Sequence, residues 1–438
     1  MEQMLQRKRA PCWFVRAFRG CPVKTAAPTD IVEPIDWMKP VSVAIPVTIF
    51  ALSALAYPLA VAPALGLTIE QRTTWILGLY LLPAVASFFM TYFYRMPLII
   101  GWNGPAIIFL ASVAATAGYS DMLGAMLVTG VVMIALGATG LSAKLSAFIP
   151  APIVFGVVAG SVLPFLINAF DYLGEAPLLI GIVLVSWLIS RKYLEQRIPA
   201  VLVAFVTGLL TAWLLGETGS TSASALLPAY IFTSPTFALP AIVTIVPVFV
   251  VLISANSNLA GSVLIKNAGY EPPRRMIDVV SGIGVAGGSV FGTVPLALTA
   301  NLTAIVVGDE AGERSRRHWA VYASIIGFLI IAGAAAIAAD LPNLIPMSLL
   351  LTVAALAMLG VFIQMGKQMM EGPILIGPVV AFAVSLSGLA LLGFGAFFWA
   401  LVFGTFVTRF LEPSALADYC SAVESTEGWC RMRNSGSD

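Results

Sequence analysis

Apolar residues gather along this chain into fourteen stretches of membrane length, parted by short polar junctions. A spanning helix needs roughly 20 such residues. The stretches centre on 39–62, 73–94, 97–118, 121–142, 150–170, 176–190, 198–215, 239–264, 276–292, 293–308, 318–339, 344–364, 372–388 and 392–411, which predicts an all-α integral membrane fold. Two of them are discontinuous. The third is broken by Trp102-Asn103-Gly104-Pro105 and the tenth by Thr293, Pro295, Thr299, Asn301 and Thr303. In hydrocarbon an unpaired backbone amide costs several kcal/mol, so irregular backbone survives only where it is buried in protein or lines a cavity. One such break in each half of the chain predicts a solute site near the membrane midplane.

The halves also resemble each other. The first and eighth stretches align without gaps at an offset of 201 residues, Pro46 on Pro247 and Ser53 on Ser254. The fifth and twelfth align at 196, Ile149-Pro150 on Ile345-Pro346, and Pro105 stands 190 before Pro295. Seven spans per copy is an odd number, so the second copy enters the membrane from the opposite side and the repeat is inverted. If the residues before Pro105 and Thr299 are extended and those after them helical, two helix N-termini face each other across the membrane centre. Such ends carry unpaired N–H groups and partial positive charge, and they attract anions.

Composition agrees with a bilayer setting: 59% of residues are hydrophobic, 10% are charged, and mean hydropathy is +0.95. Charge placement then sets the orientation. With the N-terminus inside, all but one of the 23 basic residues fall on the cytoplasmic side, the exception being Arg72. The chain is therefore expected to be a multi-pass protein of the inner or plasma membrane with both termini cytoplasmic. Its first 38 residues hold Arg7-Lys8-Arg9 but no apolar core of a signal peptide, which reads as a cytoplasmic tail able to touch lipid headgroups. Cys12, Cys21, Cys420 and Cys430 lie in the two tails without zinc-ligand spacing and are expected as free thiols. A net charge of +1 offers no basic patch for nucleic acid.

The eighth stretch carries the polar run Ser254, Asn256, Ser257 and Asn258. In an α-helix 254, 257, 258 and 261 share a face, and that face reads as cavity-lining or as interhelical glue. With the breaks it gives an expected substrate-binding set of Trp102, Asn103, Gly104, Ser254, Ser257, Asn258, Thr299 and Asn301. Gly282, Gly284 and Gly287 spell GxGxxG without a βαβ unit, so they read as close helix packing. His318 at a helix start reads as solvated, and Asp278 as a surface partner of Arg274. No catalytic set, metal motif or cofactor motif is visible, so the chain is not expected to be an enzyme. These residues alone do not yield proton coupling.

Several quoted segments resemble the benzoate/proton symporter (BenE-type) family. They are Trp102 to Pro105, Ile149-Pro150, Asn258 to Gly261 leading to Lys266, Ala268-Gly269-Tyr270, Phe291-Gly292 leading into Leu302 to Ile305, and Ser385 to Phe398. The resemblance spans about residues 39–412 and implies the uracil-permease-like fold of two inverted seven-span repeats. It also implies a core domain (39–142 and 239–340), a gate domain (143–217 and 341–412) and a homodimer, while the external loop at 218–238 and the tails at 1–38 and 413–438 follow from the apolar stretches and charge placement. The implied function is proton-coupled uptake of a small aromatic carboxylate by alternating access. Departures lie at the site: Asn103-Gly104-Pro105-Ala106 stands where the family has Ser-Thr-Pro-Gly, Ser257 replaces Gln, and Ala260 replaces Pro. The alternatives are a nucleobase permease of the same fold, reading its solute with Asn103, Asn256 and Asn258, and a non-transporting membrane sensor.

Overall fold

The computed structural model of the chain describes residues 38–141, 149–194, 199–219, 230–389, 391–392 and 394–426. The expected N-terminal tail, apart from Met38, lies outside these residues, as do Cys12, Cys21 and Cys430. The first half runs α1 (Met38–Ala54), a turn at Leu55, α2 (Ala56–Ala64), α3 (Ile69–Tyr94), strand β1 (Ile100–Trp102), α4 (Gly104–Val113) and α5 (Tyr119–Thr139). Then come α6 (Ala151–Glu175), α7 (Pro177–Tyr193) and α8 (Ala200–Leu214). The second half runs α9 (Leu239–Val250), a π-helical segment (Val251–Asn258), α10 (Leu259–Asn267), α11 (Arg274–Gly288), strand β2 (Leu296–Leu298) and α12 (Ala300–Val307). It ends with α13 (His318–Gly333), α14 (Ala335–Leu344), α15 (Met347–Met370), α16 (Ile376–Leu386), α17 (Ala396–Leu411) and α18 (Pro413–Thr426).

Each expected stretch holds a helix, though not each helix is a full span. Among the described residues, five segments are long and apolar enough to cross a membrane alone: Met38–Ala64, Ile69–Tyr94, Tyr119–Thr139, Leu239–Asn267 and Met347–Met370. A sixth forms if the pair Arg314–Gly333 and Ala335–Leu341, bent by 57°, is taken as one. Local signals set the starts. Thr68 opens α3 with a reciprocal cap, its hydroxyl accepting from Gln71 N at 3.3 Å while Gln71 Oε1 accepts from Thr68 N at 3.0 Å. Pro150, Pro199 and Pro346 stand directly before α6, α8 and α15, where a fixed φ and a missing N–H disturb no helical bond.

The two breaks are extended, as expected, and they find each other. β1 pairs antiparallel with β2, Ile100 opposite Leu298, Gly101 opposite Ala297 and Trp102 opposite Leu296. The Asn103 N–H donates to Pro295 O at 2.9 Å, and the Ser87 hydroxyl accepts from Ile100 N at 2.8 Å and donates to Ile100 O at 3.2 Å. The irregular backbone thus satisfies its polar groups inside the protein. A Cβ at Gly101 would crowd this strand, lying 3.0 Å from the end of the Leu302 side chain and 3.1 Å from the Thr299 side chain. Elsewhere α11 packs on α5, α13 on α1 and α3, and α6 on α15 and α16. A Cβ on Gly282 would sit 2.8 Å from Gly130 O, so this member of the GxGxxG run is a helix-packing residue.

Two expectations change. Asp278 is not a surface partner: it is buried and accepts hydrogen bonds from Ser254 and Asn258, because the π-helical segment turns those side chains toward α11. His318 is half-buried against Trp319 and Tyr322, at 5.5 and 6.2 Å between ring centroids, rather than solvated. The C-terminal tail begins as a helix, α18, which carries Cys420 as a thiol. Arg72, the exception to the charge rule, lies in electrostatic contact with Asp340 and donates through Nε to Leu67 O at 3.1 Å.

Glu412, just past α17, caps a helix far from it in sequence. Its carboxylate accepts from Leu375 N (2.8 Å), Ile376 N (3.0 Å) and Gly377 N (3.0 Å), three of the orphan donors at the start of α16. Burial alone would raise this carboxyl, but the three backbone donors more than reverse it and hold it below its ordinary value. A depressed carboxyl stabilises the fold above its unfolded value, about 4.3, and loses that contribution as pH falls through the folded value. Glu412→Gln should therefore lower stability by about 1 kcal/mol at neutral pH. The gap between variant and parent melting temperatures should be full above about pH 4.3 and close only as pH falls further, through the folded value.

Candidate functional site

Beside the strand pair lies a cavity of about 600 Å³. Its deep wall is made by the breaks: Trp102, Asn103 and Gly104 from the first, and Thr299 to Leu302 from the second. Asn256, Ser257 and Ala260 continue this wall, and α1 and α2 add Phe50 and Tyr57. The facing wall comes from α7 and α15, with Trp187, Arg191, Gln364 and Gln368. Arg191 and Gln364 are exposed, so the cavity opens at their end, and Arg191 is the charged residue among those lining it.

The two half-helix ends are not equivalent. At α4 the Asn103 Oδ1 already accepts from Ala106 N at 2.8 Å, and Pro105 has no N–H to offer. At α12 the N-cap residue Thr299 is extended, with φ −82° and ψ 132°, and its side chain makes no capping bond. Its hydroxyl oxygen is buried without a partner among the described residues. The donors at the start of α12, with the positive end of the helix dipole, face a cavity they help to line. This end suits an anion.

Aromatic side chains define the space next to it. Trp102 meets Tyr57 and Tyr80 edge to face, at 6.0 and 6.4 Å between centroids, and the Tyr57 hydroxyl donates to Ala357 O on α15 at 3.3 Å. Tyr80 is fixed by donating to Ala51 O at 2.7 Å. Tyr57, Tyr80 and Trp102 thus put phenol and indole rings on the lining of the cavity.

Six of the eight expected residues line this cavity: Trp102, Asn103, Gly104, Ser257, Thr299 and Asn301. Ser254 and Asn258 lie outside its lining and bond to Asp278 instead. The expected common face assumed α-helical geometry. A π-helix has more residues per turn than an α-helix, which turns Ser257, held by Asn103 Nδ2 at 2.8 Å, away from the side of Ser254. Sequence reasoning missed the facing wall. Gln364 and Gln368 are four apart on α15, a spacing that puts them on one side of the helix. Gln368 Nε2 donates to Asn256 Oδ1 at 3.3 Å across the cavity.

Comparison with known proteins is consistent across three levels. The sequence profile of the benzoate membrane transport proteins (BenE) matches residues 47–410. An inner membrane protein of Escherichia coli K12, YdcO, is 30% identical over 347 residues, 77% of this chain and 87% of that protein. A benzoate membrane transport protein of Acinetobacter baylyi is 22% identical over 341 residues, 76% of this chain and 85% of that protein. Among solved structures, the transmembrane domain of the cyanobacterial bicarbonate transporter BicA superposes with a TM-score of 0.54 at 18% identity, covering 84% of this chain and 97% of that one. The murine anion transporter Slc26a9 gives 0.57 at 13% identity, covering 91% and 74%. At these identities the structural likeness speaks for the fold.

Proposed function

Because the chain belongs to the benzoate membrane transport protein family, a family of membrane anion transporters, we propose that it carries a small aromatic carboxylate such as benzoate, together with a proton, into the cell. The observation that carries this reading is the uncapped start of α12 facing a cavity edged by Trp102 and Tyr57. The carboxylate would take the free N–H groups at Ala300 to Leu302, and the ring would lie against the indole. Ser257 and Asn103 brace each other behind the solute.

The proposed motion is alternating access of a core (39–142 and 239–340) against a gate (143–217 and 341–412), built as two inverted seven-span repeats in an inner or plasma membrane protein with cytoplasmic termini. The cavity supports that division, since its deep wall comes from the proposed core and its facing wall from the proposed gate. A homodimer is proposed on the likeness to the bicarbonate and Slc26 transporters.

The nucleobase alternative is weaker on this geometry. The Asn103 amide is spent on Ala106, Leu252 and Ser257, and the Asn258 amide on Asp278, Ser281 and Leu298, so neither is left to read a base edge. Thermal-shift measurement against benzoate, substituted benzoates, uracil, xanthine, sulfate and bicarbonate separates these readings. A ligand at 100 times its Kd adds about 2.7 kcal/mol, and stabilisation is expected from the aromatic carboxylates. Stabilisation by uracil or xanthine in their place would overturn the assignment. Trp102→Ala should weaken benzoate binding by about tenfold, on the order of 1 kcal/mol of ring contact, as read by titration.

A further inference from the structure

The π-helical segment that gives Ser257 to the cavity presents Ser254 and Asn258 on its other side to a carboxylate. Asp278 is 6% exposed and accepts from Ser254 Oγ at 3.1 Å and from Asn258 Nδ2 at 2.8 Å. Asn258 passes the contact on, for its Oδ1 accepts from Leu298 N at 2.8 Å, and Ser281 Oγ lies 3.1 Å from its Nδ2. Leu298 leads directly into Thr299, at the open end of α12. A single amide therefore separates the Asp278 carboxylate from the backbone that bears the solute-binding helix end.

We infer that Asp278 holds the coupling proton during transport and that Asn258 conveys its charge state to β2. This rests on the proton-coupled reading above. Buried carboxylates inside membrane proteins mark proton pathways, and this one bonds the same π-helical segment whose Ser257 lines the cavity. The step is a simple proton transfer: water on one side supplies the proton, an O–H bond forms on a carboxylate oxygen, and the same bond breaks when the proton leaves to water on the other side. The ionised carboxylate is an acceptor only, whereas the protonated acid is also a donor. Protonation thus rearranges the bonds from Ser254 and Asn258, and through Asn258 the hold on Leu298 N.

The charged groups around it are few. Arg274 and Arg275 lie one turn earlier on α11, with the Arg275 guanidinium against Gly140 at the end of α5. α5 and α3 bring Asp121, Glu70 and Arg72 only at their opposite ends, while β2 and the π-helical segment bring none.

The test uses the full-length protein in liposomes, with labelled benzoate as probe and uptake into protein-free liposomes subtracted. The parent protein should accumulate benzoate under an inward proton gradient and exchange it without one. Asp278→Asn, which keeps an acceptor for Ser254 and Asn258, should lose gradient-driven accumulation by at least tenfold yet keep benzoate exchange. Its benzoate affinity should no longer vary with pH. Ser254→Ala removes one donor to the charged form and should move the pH at which benzoate binding is half-lost upward, by roughly half a unit to one unit. Gradient-driven accumulation by Asp278→Asn at the parent rate overturns the assignment of Asp278 alone. Exchange without any gradient drive in the parent overturns the coupling reading and this inference with it, and failure of the parent to bind benzoate overturns the substrate.

Discussion

Thr299→Asp should make the protein more stable and abolish its anion transport. Thr299 is extended and ready to cap α12 but makes no capping bond, so a carboxylate placed there would accept from the first N–H groups of the helix and meet its positive end. Caps of this kind contribute about 0.5 to 2 kcal/mol. The same carboxylate would occupy the donors proposed for the solute and set a like charge beside it. At about 4 Å and an effective dielectric near 20 that repulsion is on the order of 4 kcal/mol, roughly a thousandfold in affinity. Melting temperature in detergent and benzoate titration read the two effects separately. Thr299→Asn, a cap without charge, should stabilise as well but weaken benzoate binding far less. Parent-like benzoate affinity in the Asp variant would mean that the start of α12 is not where the anion binds.

The second large effect falls on Asn258. Its side chain is 3% exposed and joins Asp278 and Ser281 on α11 to Leu298 on β2. Asn258→Ala leaves the Leu298 N–H and an oxygen of Asp278 without this partner in a dry interior. Each such loss costs about 1 to 3 kcal/mol, so a total of roughly 2 to 6 kcal/mol is expected, with uptake lost because β2 is no longer held. Ser257→Ala, on the cavity side of the same segment, should fall by less than about 1.5 kcal/mol. Thermal denaturation of the two variants side by side checks the contrast. Equal melting temperatures would show that Asn258 does not brace the strand.

The sequence made the paired breaks legible and the wiring around them largely illegible, for physical reasons. Pro105 and Pro295 interrupt apolar runs, and an interruption at membrane depth demands a buried explanation, so the paired breaks could be read directly. That they pair as strands through Gly101 and Ala297 could not, because pairing is a contact between residues nearly two hundred positions apart. Asn258 illustrates the harder loss. Its polarity in an apolar run marked it as a residue needing partners, but its expected direction toward the cavity depended on assuming 3.6 residues per turn, and the π-helical segment breaks that assumption. Asp278 was misjudged for a related reason. Arg274 four residues before it suggests an exposed pair, whereas burial is decided by what α5 and the π-helical segment bring against it. Gln364 and Gln368 were readable by spacing, but without the opposite wall nothing marked them as facing a cavity.

The hydrogen bonds between β1 and β2 have one further consequence. They splice the starts of α4 and α12 into a single piece, with Asn103 N–H bonded to Pro295 O just beyond the strand register. On the proposed transport cycle, the open α12 donors are tied through the strands to the capped start of α4 and cannot let go of a solute by moving away from it. They would instead be uncovered, first toward one compartment and then toward the other. The ranking of competing solutes should therefore be the same whether they are offered from inside or outside, so that the molecule discriminates identically in both directions of traffic.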